Sequence, residues 1–192
     1  DPALREYVGN KGFSIVTRHD SGRIQIQKVG RNRTTEARMT NQRPAIFTIT
    51  DVIDDNGQLV RKGNMKEGKP VGFWENYWSN GQLHKKGNYK DGKRVGLYEV
   101  YHKNGQLLEK GNFKYGKKDG AWVSYYNNGK LWAKENYKDG ISDGSLEEYS
   151  FGGQLRLKGN HINGKREGLW EWFNENGSYF KTETYKDGEK ID

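Results

Sequence analysis

The chain has no cysteine, three prolines and four histidines among its 192 residues. Without cysteine, disulfides and thiolate metal sites are excluded, and the redox compartment stays open. No run reaches the roughly 18 apolar residues that a transmembrane helix needs. Aliphatic material is scarce: hydrophobic residues make up 32% of the chain and charged residues 30%. Such a balance ordinarily signals disorder. Here the apolar content is concentrated in large rings, with 12 Tyr, 7 Phe and 6 Trp. Rings of this size bury much area while Tyr and Trp keep a polar tip for water, which suits a thin sheet.

The rings and glycines recur at a fixed period. Asn56-Gly57-Gln58-Leu59 returns as Asn80-Gly81-Gln82-Leu83, Asn104-Gly105-Gln106-Leu107 and Asn128-Gly129-Lys130-Leu131. Weaker copies are Gly152-Gly153-Gln154-Leu155 and Asn176-Gly177-Ser178-Tyr179, every step being 24 residues. Gly68, Gly92, Gly116, Gly140, Gly164 and Gly188 keep the same register, as do Trp74, Tyr98, Trp122, Leu146 and Trp170. Further ring columns are Tyr77, Tyr101, Tyr125, Tyr149, Phe173 and Met65, Tyr89, Phe113, Tyr137, His161, Tyr185. A fixed period of this length marks a repeat architecture.

Asn-Gly between apolar residues signals a hairpin, with a type I′ turn expected from positive φ at both central positions. Each unit therefore reads as two strands. In one unit the first strand runs from about Gln82 to Lys90, with Leu83, Lys85, Gly87 and Tyr89 on one face. Asp91 to Gly96 reads as a longer loop, and Leu97 to His102 as the second strand. Tyr98 and Tyr101 lie three apart, so either the strand is bulged or both faces carry aromatics. Gly63, Gly87, Gly111 and Gly159 fall mid-strand, where a ring from the neighbouring strand is expected to lie over them. Glu135 and Glu183 replace this glycine, so their units are expected to differ locally.

Residues 1–53 do not fit the register. Gly12–Arg18 and Arg23–Lys28 read as strands, and Ala45–Ile53 as a strand feeding the first unit. The expected architecture is all-β: an elongated single-sheet ribbon of six tandem 24-residue hairpins over residues 54–192, with residues 1–53 as an irregular N-terminal β cap and basic loop. At about 4.8 Å per strand, six units span roughly 50–60 Å. The net charge of +8 is uneven, because residues 1–44 hold nine Lys/Arg against four Asp/Glu. The excess gathers around Arg31, Arg33, Arg38 and Arg43. The chain begins Asp1-Pro2 without Met, which leaves room for a removed leader, and the reading leans toward export to the envelope or periplasm.

The quoted columns resemble the MORN repeat in its bacterial variant form, in which Tyr-x-x-Asn-Gly-x-Leu is followed by Gly-Asn-Tyr-x-x-Gly-x-x-x-Gly-x-Trp. Here that reads Tyr101…Asn104-Gly105-Gln106-Leu107, Gly111-Asn112-Phe113, Gly116, Gly120, Trp122, and the likeness covers about residues 54–190. Bacterial members resemble antitoxin or immunity proteins. Eukaryotic members resemble lipid-binding and scaffolding arrays, some attached to a methyltransferase domain that has no counterpart here. Choline-binding cell-wall repeats are a second likeness, with usually shorter units.

No chemistry of catalysis stands out. His19, His84, His102 and His161 show no metal-like spacing, and His161 fills a ring column as a packing residue. No nucleophile elbow or phosphate-cradling loop is present. Lys-Asp-Gly at residues 90–92, 138–140 and 186–188 lacks the further acidic ligands of a calcium loop and reads as a turn. No enzyme, cofactor or metal is expected. Lys69, Lys93, Arg94, Lys117, Lys118, Lys165 and Arg166 read as a solvated edge rather than a nucleic-acid site, diluted by Glu67, Asp91 and Asp119. Binding is sought where units vary: Val60, His84, Leu108, Trp132, Arg156, Phe180, and Trp78, His102, Tyr126, Ser150, Asn174. The candidate partner-binding residues are Trp78, His84, His102, Leu108, Tyr126, Trp132, Arg156 and Trp172, with the basic segment beside them. The same rings alternatively shield the second face of a thin sheet. The expected function is binding and neutralising a toxic effector protein. The alternative is an envelope or membrane scaffold that binds anionic lipid or a cell-wall ligand.

Overall fold

The computed structural model describes residues 13–18, 24–29, 48–54 and 56–191, with side chains from Asp51 onward. Every described element is a β-strand, and paired strands are antiparallel. The chain divides into two compact units, Asp1–Lys93 and Arg94–Asp192. The first contains β1 (Phe13–Arg18), β2 (Ile24–Val29), β3 (Thr48–Ile53), β4 (Leu59–Lys66), β5 (Lys69–Tyr77) and β6 (Leu83–Lys90). Its sheet order is β2-β1-β3-β4-β5-β6, so β1 pairs with β2 along one side and with β3 along the other.

The second unit is formed by β7 (Lys93–Tyr101), β8 (Leu107–Lys114), β9 (Lys117–Tyr125), β10 (Leu131–Lys138) and β11 (Ile141–Tyr149). It continues with β12 (Leu155–Ile162), β13 (Lys165–Phe173), β14 (Tyr179–Lys186) and the short β15 (Glu189–Lys190). These nine strands pair in sequence order, as hairpin repeats with short links require.

The two kinds of turn exchange the roles expected of them. Asn80-Gly81 is not a type I′ turn. Trp78 N–H donates to Gln82 O (2.7 Å) and Gly81 N–H to Trp78 O (2.9 Å), and of Asn80 and Gly81 only Gly81 has positive φ (83°). This is a three-residue loop built on a type I turn, with glycine at its last position. The other link is tighter than expected. Asp91–Gly96 is not a long loop, because the turn is Asp91-Gly92 and the next strand begins at Lys93. Both turn residues have positive φ, 51° and 82°. Asp tolerates the left-handed region better than most residues and Gly enters it freely, so this pair supplies the I′ geometry.

The three-residue spacing of Tyr98 and Tyr101, repeated at Trp74 and Tyr77, resolves in favour of rings on both faces, and the bulge lies in the partner strand rather than between the two rings. Trp74 pairs with Gly87 and Asn76 with Lys85, but Tyr77 pairs with Leu83, skipping His84. Rings therefore stand on both faces, and a bulge interrupts the partner strand. The bulge also carries Leu83 to the face of Tyr77, opposite Lys85, Gly87 and Tyr89, because one extra residue reverses the alternation. The same skip recurs at Val60, Leu108, Trp132, Arg156 and Phe180.

The core is the first ring column. Trp74, Tyr98, Trp122, Leu146 and Trp170 are all buried, Trp170 to 1% exposure. At about 25 cal/mol per Å², a ring hiding roughly 200 Å² stabilises by up to about 5 kcal/mol. The expected ring-over-glycine contact is present. A Cβ on Gly63 would lie 2.2 Å from Trp74, on Gly111 2.3 Å from Trp122, and on Gly159 2.2 Å from Trp170. Trp74 and Trp122 also donate their indole N–H to the carbonyls of Asn64 (3.0 Å) and Asn112 (3.1 Å). The third ring column packs edge-on among them, with Phe113 5.1 Å from Trp122 and Tyr185 6.2 Å from Trp170.

Where Glu135 replaces the glycine, the facing ring position holds Leu146, which pairs with it. Glu135 accepts hydrogen bonds from Tyr137 Oη (2.6 Å) and Ser142 Oγ. Burial and the neighbouring carboxylate hold the Tyr137 hydroxyl well above its usual range. The opposite face is a polar ladder of alternating Lys and Glu: Lys62–Glu75 at 2.8 Å, Lys134–Glu147 at 2.9 Å and Lys158–Glu171 at 2.7 Å.

Candidate functional site

The loops around the Asn-Gly turns form one edge of each unit. Their backbone is set by the repeat, through the asparagine carboxamide. Asn104 Oδ1 accepts from Gln106 N–H and Asn128 Oδ1 from Lys130 N–H, closing each loop locally. The same side chains donate to the next loop, Asn104 to Asn127 O (2.7 Å) and Asn128 to Phe151 O (3.1 Å). Successive loops are therefore tied together, and the positions that vary are displayed on a fixed frame.

In the first unit the structure brings Trp78 and His84 together, with ring centroids 3.7 Å apart and planes tilted by 31°. Burial against the indole lowers the His84 pKa below its ordinary value, with a smaller push from Lys85. A His84 kept neutral stacks as an apolar ring.

In the second unit, His102 Nε2 lies 3.0 Å from Tyr125 O, and Tyr126 Oη donates to Tyr149 O (2.8 Å). These two predicted residues are fixed at one end by the next hairpin. The Tyr126 ring lies between two exposed rings: Trp132 at 6.1 Å, 45% exposed, and Phe151 at 5.3 Å, 56% exposed. Leu108, Trp132 and Arg156 all occupy bulge positions, which re-aim a side chain out of the strand alternation. Leu108 is half-buried and Arg156 exposed. Phe180 continues the bulge column at 61% exposure, beside Tyr179 at 57%.

Trp172 does not join this edge. It stands mid-strand in β13, 6.2 Å from Trp170 and 6.5 Å from Tyr185, with Lys181 Nζ 4.8 Å from its ring. Arg31, Arg33, Arg38 and Arg43 lie outside the described residues. Phe151 and Tyr179 were not singled out from the sequence. Phe151 was detectable, because its column otherwise reads Asp55, Ser79, Lys103, Asn127 and Glu175, and a phenyl ring at a loop tip serves no turn.

Three of the seven residues of the expected basic edge are absorbed into the ring face. Arg94 lies 4.5 Å over Tyr98, Lys118 Nζ 3.9 Å over Trp122 and Arg166 4.5 Å over Trp170. A cation over a ring face is attracted by the ring quadrupole. Lys69, Lys93, Lys117 and Lys165 remain exposed at the tight-turn edge. The exposed Ile141 (52%) and Ile162 (49%) lie at the same edge. His161 packs edge-on against Trp170 at 5.0 Å, and burial lowers its pKa. Among the described residues, no three His, Asp or Glu side chains group closely enough to hold a metal ion.

Four stretches match the family model described as MORN repeat variant: residues 71–91, 94–115, 118–139 and 166–187. These four matches pass over the hairpin of β11 and β12, where Leu146 replaces the ring. No curated protein matches the chain.

Proposed function

We propose that this MORN-repeat chain is a non-enzymatic protein-binding module that grips its partner through the Asn-Gly turn edge, and that its biological role is to bind and neutralise a toxic effector. MORN repeats mediate protein or membrane-lipid binding, and the all-β repeat fold is typical of binding modules rather than catalysts. The observation that carries the reading is the cluster of Trp132, Tyr126 and Phe151. Exposed rings on a rigid loop frame, at positions the fold does not require, are the residue types that dominate interface energetics. Arg156 adds a guanidinium for an acidic group on the partner. The test is co-expression with the product of the adjacent gene. A stable complex and relief of toxicity are expected, and their absence sinks the effector reading.

A second reading is binding to anionic lipid through the other edge. Ile141 and Ile162 are exposed there among Lys114, Lys117, Lys138 and Lys165. Apolar side chains rimmed by lysines suit a charged membrane surface. Flotation with anionic liposomes at low salt checks it, and a chain that stays at the bottom of the gradient rejects it.

A further inference from the structure

The repeat imposes a spacing on the binding edge, and the spacing selects a ligand conformation. Trp132 and Arg156 are successive bulge residues on β10 and β12, two strands apart. At 4.7–4.9 Å per strand, equivalent side chains recur every ~9.6 Å. A polyproline II helix has three residues per turn and rises 3.1 Å per residue, so one of its edges repeats every ~9.3 Å. Across one step the two differ by only a few tenths of an ångström. A β-strand presents one face every ~6.6 Å, and an α-helix turns every 5.4 Å, so neither keeps step with the bulge column.

The side chains fit the same ligand. Trp132 and Phe151 pack against Tyr126, whose hydroxyl is held by Tyr149 O, so the three rings form an exposed aromatic shelf whose central ring is already fixed. Proline-rich segments dock on such shelves because the ligand is already extended and loses little entropy. The Trp132 indole N–H has no partner among the described residues and is available to a ligand carbonyl, which a polyproline II backbone leaves exposed. Arg156 is exposed and makes no ion pair among the described residues.

We propose that the edge around Trp132 and Arg156 binds a polyproline II segment of a partner protein, with a proline on the ring shelf and an acidic residue three positions away on Arg156. This rests on the protein-binding reading above and narrows it to one ligand conformation. The test uses the full chain and fluorescence anisotropy of a labelled oligoproline with glutamate at every sixth position, so that successive turns of one edge present proline and glutamate. A glycine-serine peptide with the same glutamates is the comparison.

The oligoproline is expected to bind and the glycine-serine peptide to bind at least about tenfold more weakly. Trp132→Ala is expected to weaken binding by about tenfold or more, the loss that marks an interface anchor. Arg156→Ala is expected to remove the preference over an oligoproline without glutamate, and Phe73→Ala, in the other compact unit, to leave binding unchanged. Equal affinity for the two peptides, no binding, or indifference to Trp132→Ala overturns the proposal. Should the effector complex form and be lost on Trp132→Ala while the oligoproline does not bind, the protein-binding reading stands and the polyproline proposal is overturned. An unchanged thermal midpoint for each variant shows that folding is not the cause.

Discussion

Two neighbouring hairpins, β8–β9 and β10–β11, solve one packing problem in different ways. In the first, Gly111 lies against the buried Trp122 ring, and Lys118 Nζ lies over that ring 3.9 Å from its centroid. In the second, Glu135 stands where the glycine was, Leu146 where the ring was and Ser142 where the cation was. The three changes belong together. A glycine mid-strand weakens a strand in isolation, and it is retained where an indole takes the place of its side chain. Once the ring shrinks to Leu, a side chain is tolerated, and Glu135 is satisfied by Tyr137 and Ser142.

Gly111→Val is expected to have the largest effect. Its Cβ would meet Trp122 at 2.3 Å, and overpacking of this kind costs about 3 kcal/mol or more, read from the urea midpoint. The converse change, Glu135→Gly, is expected to cost less, since it introduces no clash and loses only the hydrogen bonds from Tyr137 and Ser142. Equal losses at the two sites would break the comparison.

Gly111→Glu and Trp122→Leu, made singly and together, sharpen it. Each alone is expected to destabilise by several kcal/mol, and the pair by less than the sum, with a coupling of about 1–3 kcal/mol. Strict additivity would mean that the two hairpins differ for unrelated reasons.

The tight turns make a smaller contrast. Tyr115 and Asp139 occupy the same turn position at φ 50° in both cases. Asp visits this region more readily than Tyr. Tyr115→Asn is therefore expected to stabilise by about 0.5–1 kcal/mol, while Asp139→Asn is expected to be near neutral, both by thermal denaturation.

The smallest effect concerns pH. On the polar face β11 carries Glu147, and β9 carries Val123 at the same place. Hydrogen bonds from Tyr149 and Lys134 lower the Glu147 pKa. A carboxyl lowered in the folded state contributes stability above its ordinary range, and that contribution is lost as pH falls through the lowered value. Glu147→Val is expected to reduce the acid sensitivity of the urea midpoint slightly, as exposed pairs contribute little, whereas Val123→Ala leaves it unchanged.

The repeat period, the strand pairs and the glycine-ring contact were legible because each leaves a periodic trace in the sequence. The turn types were not, because Asn-Gly serves two loop geometries and the choice rests on hydrogen bonds such as Gly81 N–H to Trp78 O. The bulges were hidden for a related reason. An extra residue in every unit keeps the 24-residue period intact, so His84 and Trp132 looked like ordinary alternating positions. At the candidate site, variation between units singled out Tyr126 and Trp132 but not their contact with Phe151, which comes from the next loop. Trp172 was grouped with them by residue type alone, and the backbone places it among the core rings.

The most direct test of the account is to compare Trp132→Ala with Trp122→Ala for thermal midpoint and for retention of the co-expressed effector. The account predicts that Trp132→Ala leaves the midpoint within a degree or two and abolishes retention, while Trp122→Ala lowers the midpoint sharply. A Trp132→Ala chain that keeps its partner with full affinity, or that unfolds as readily as Trp122→Ala, would contradict the separation of scaffold columns from binding columns.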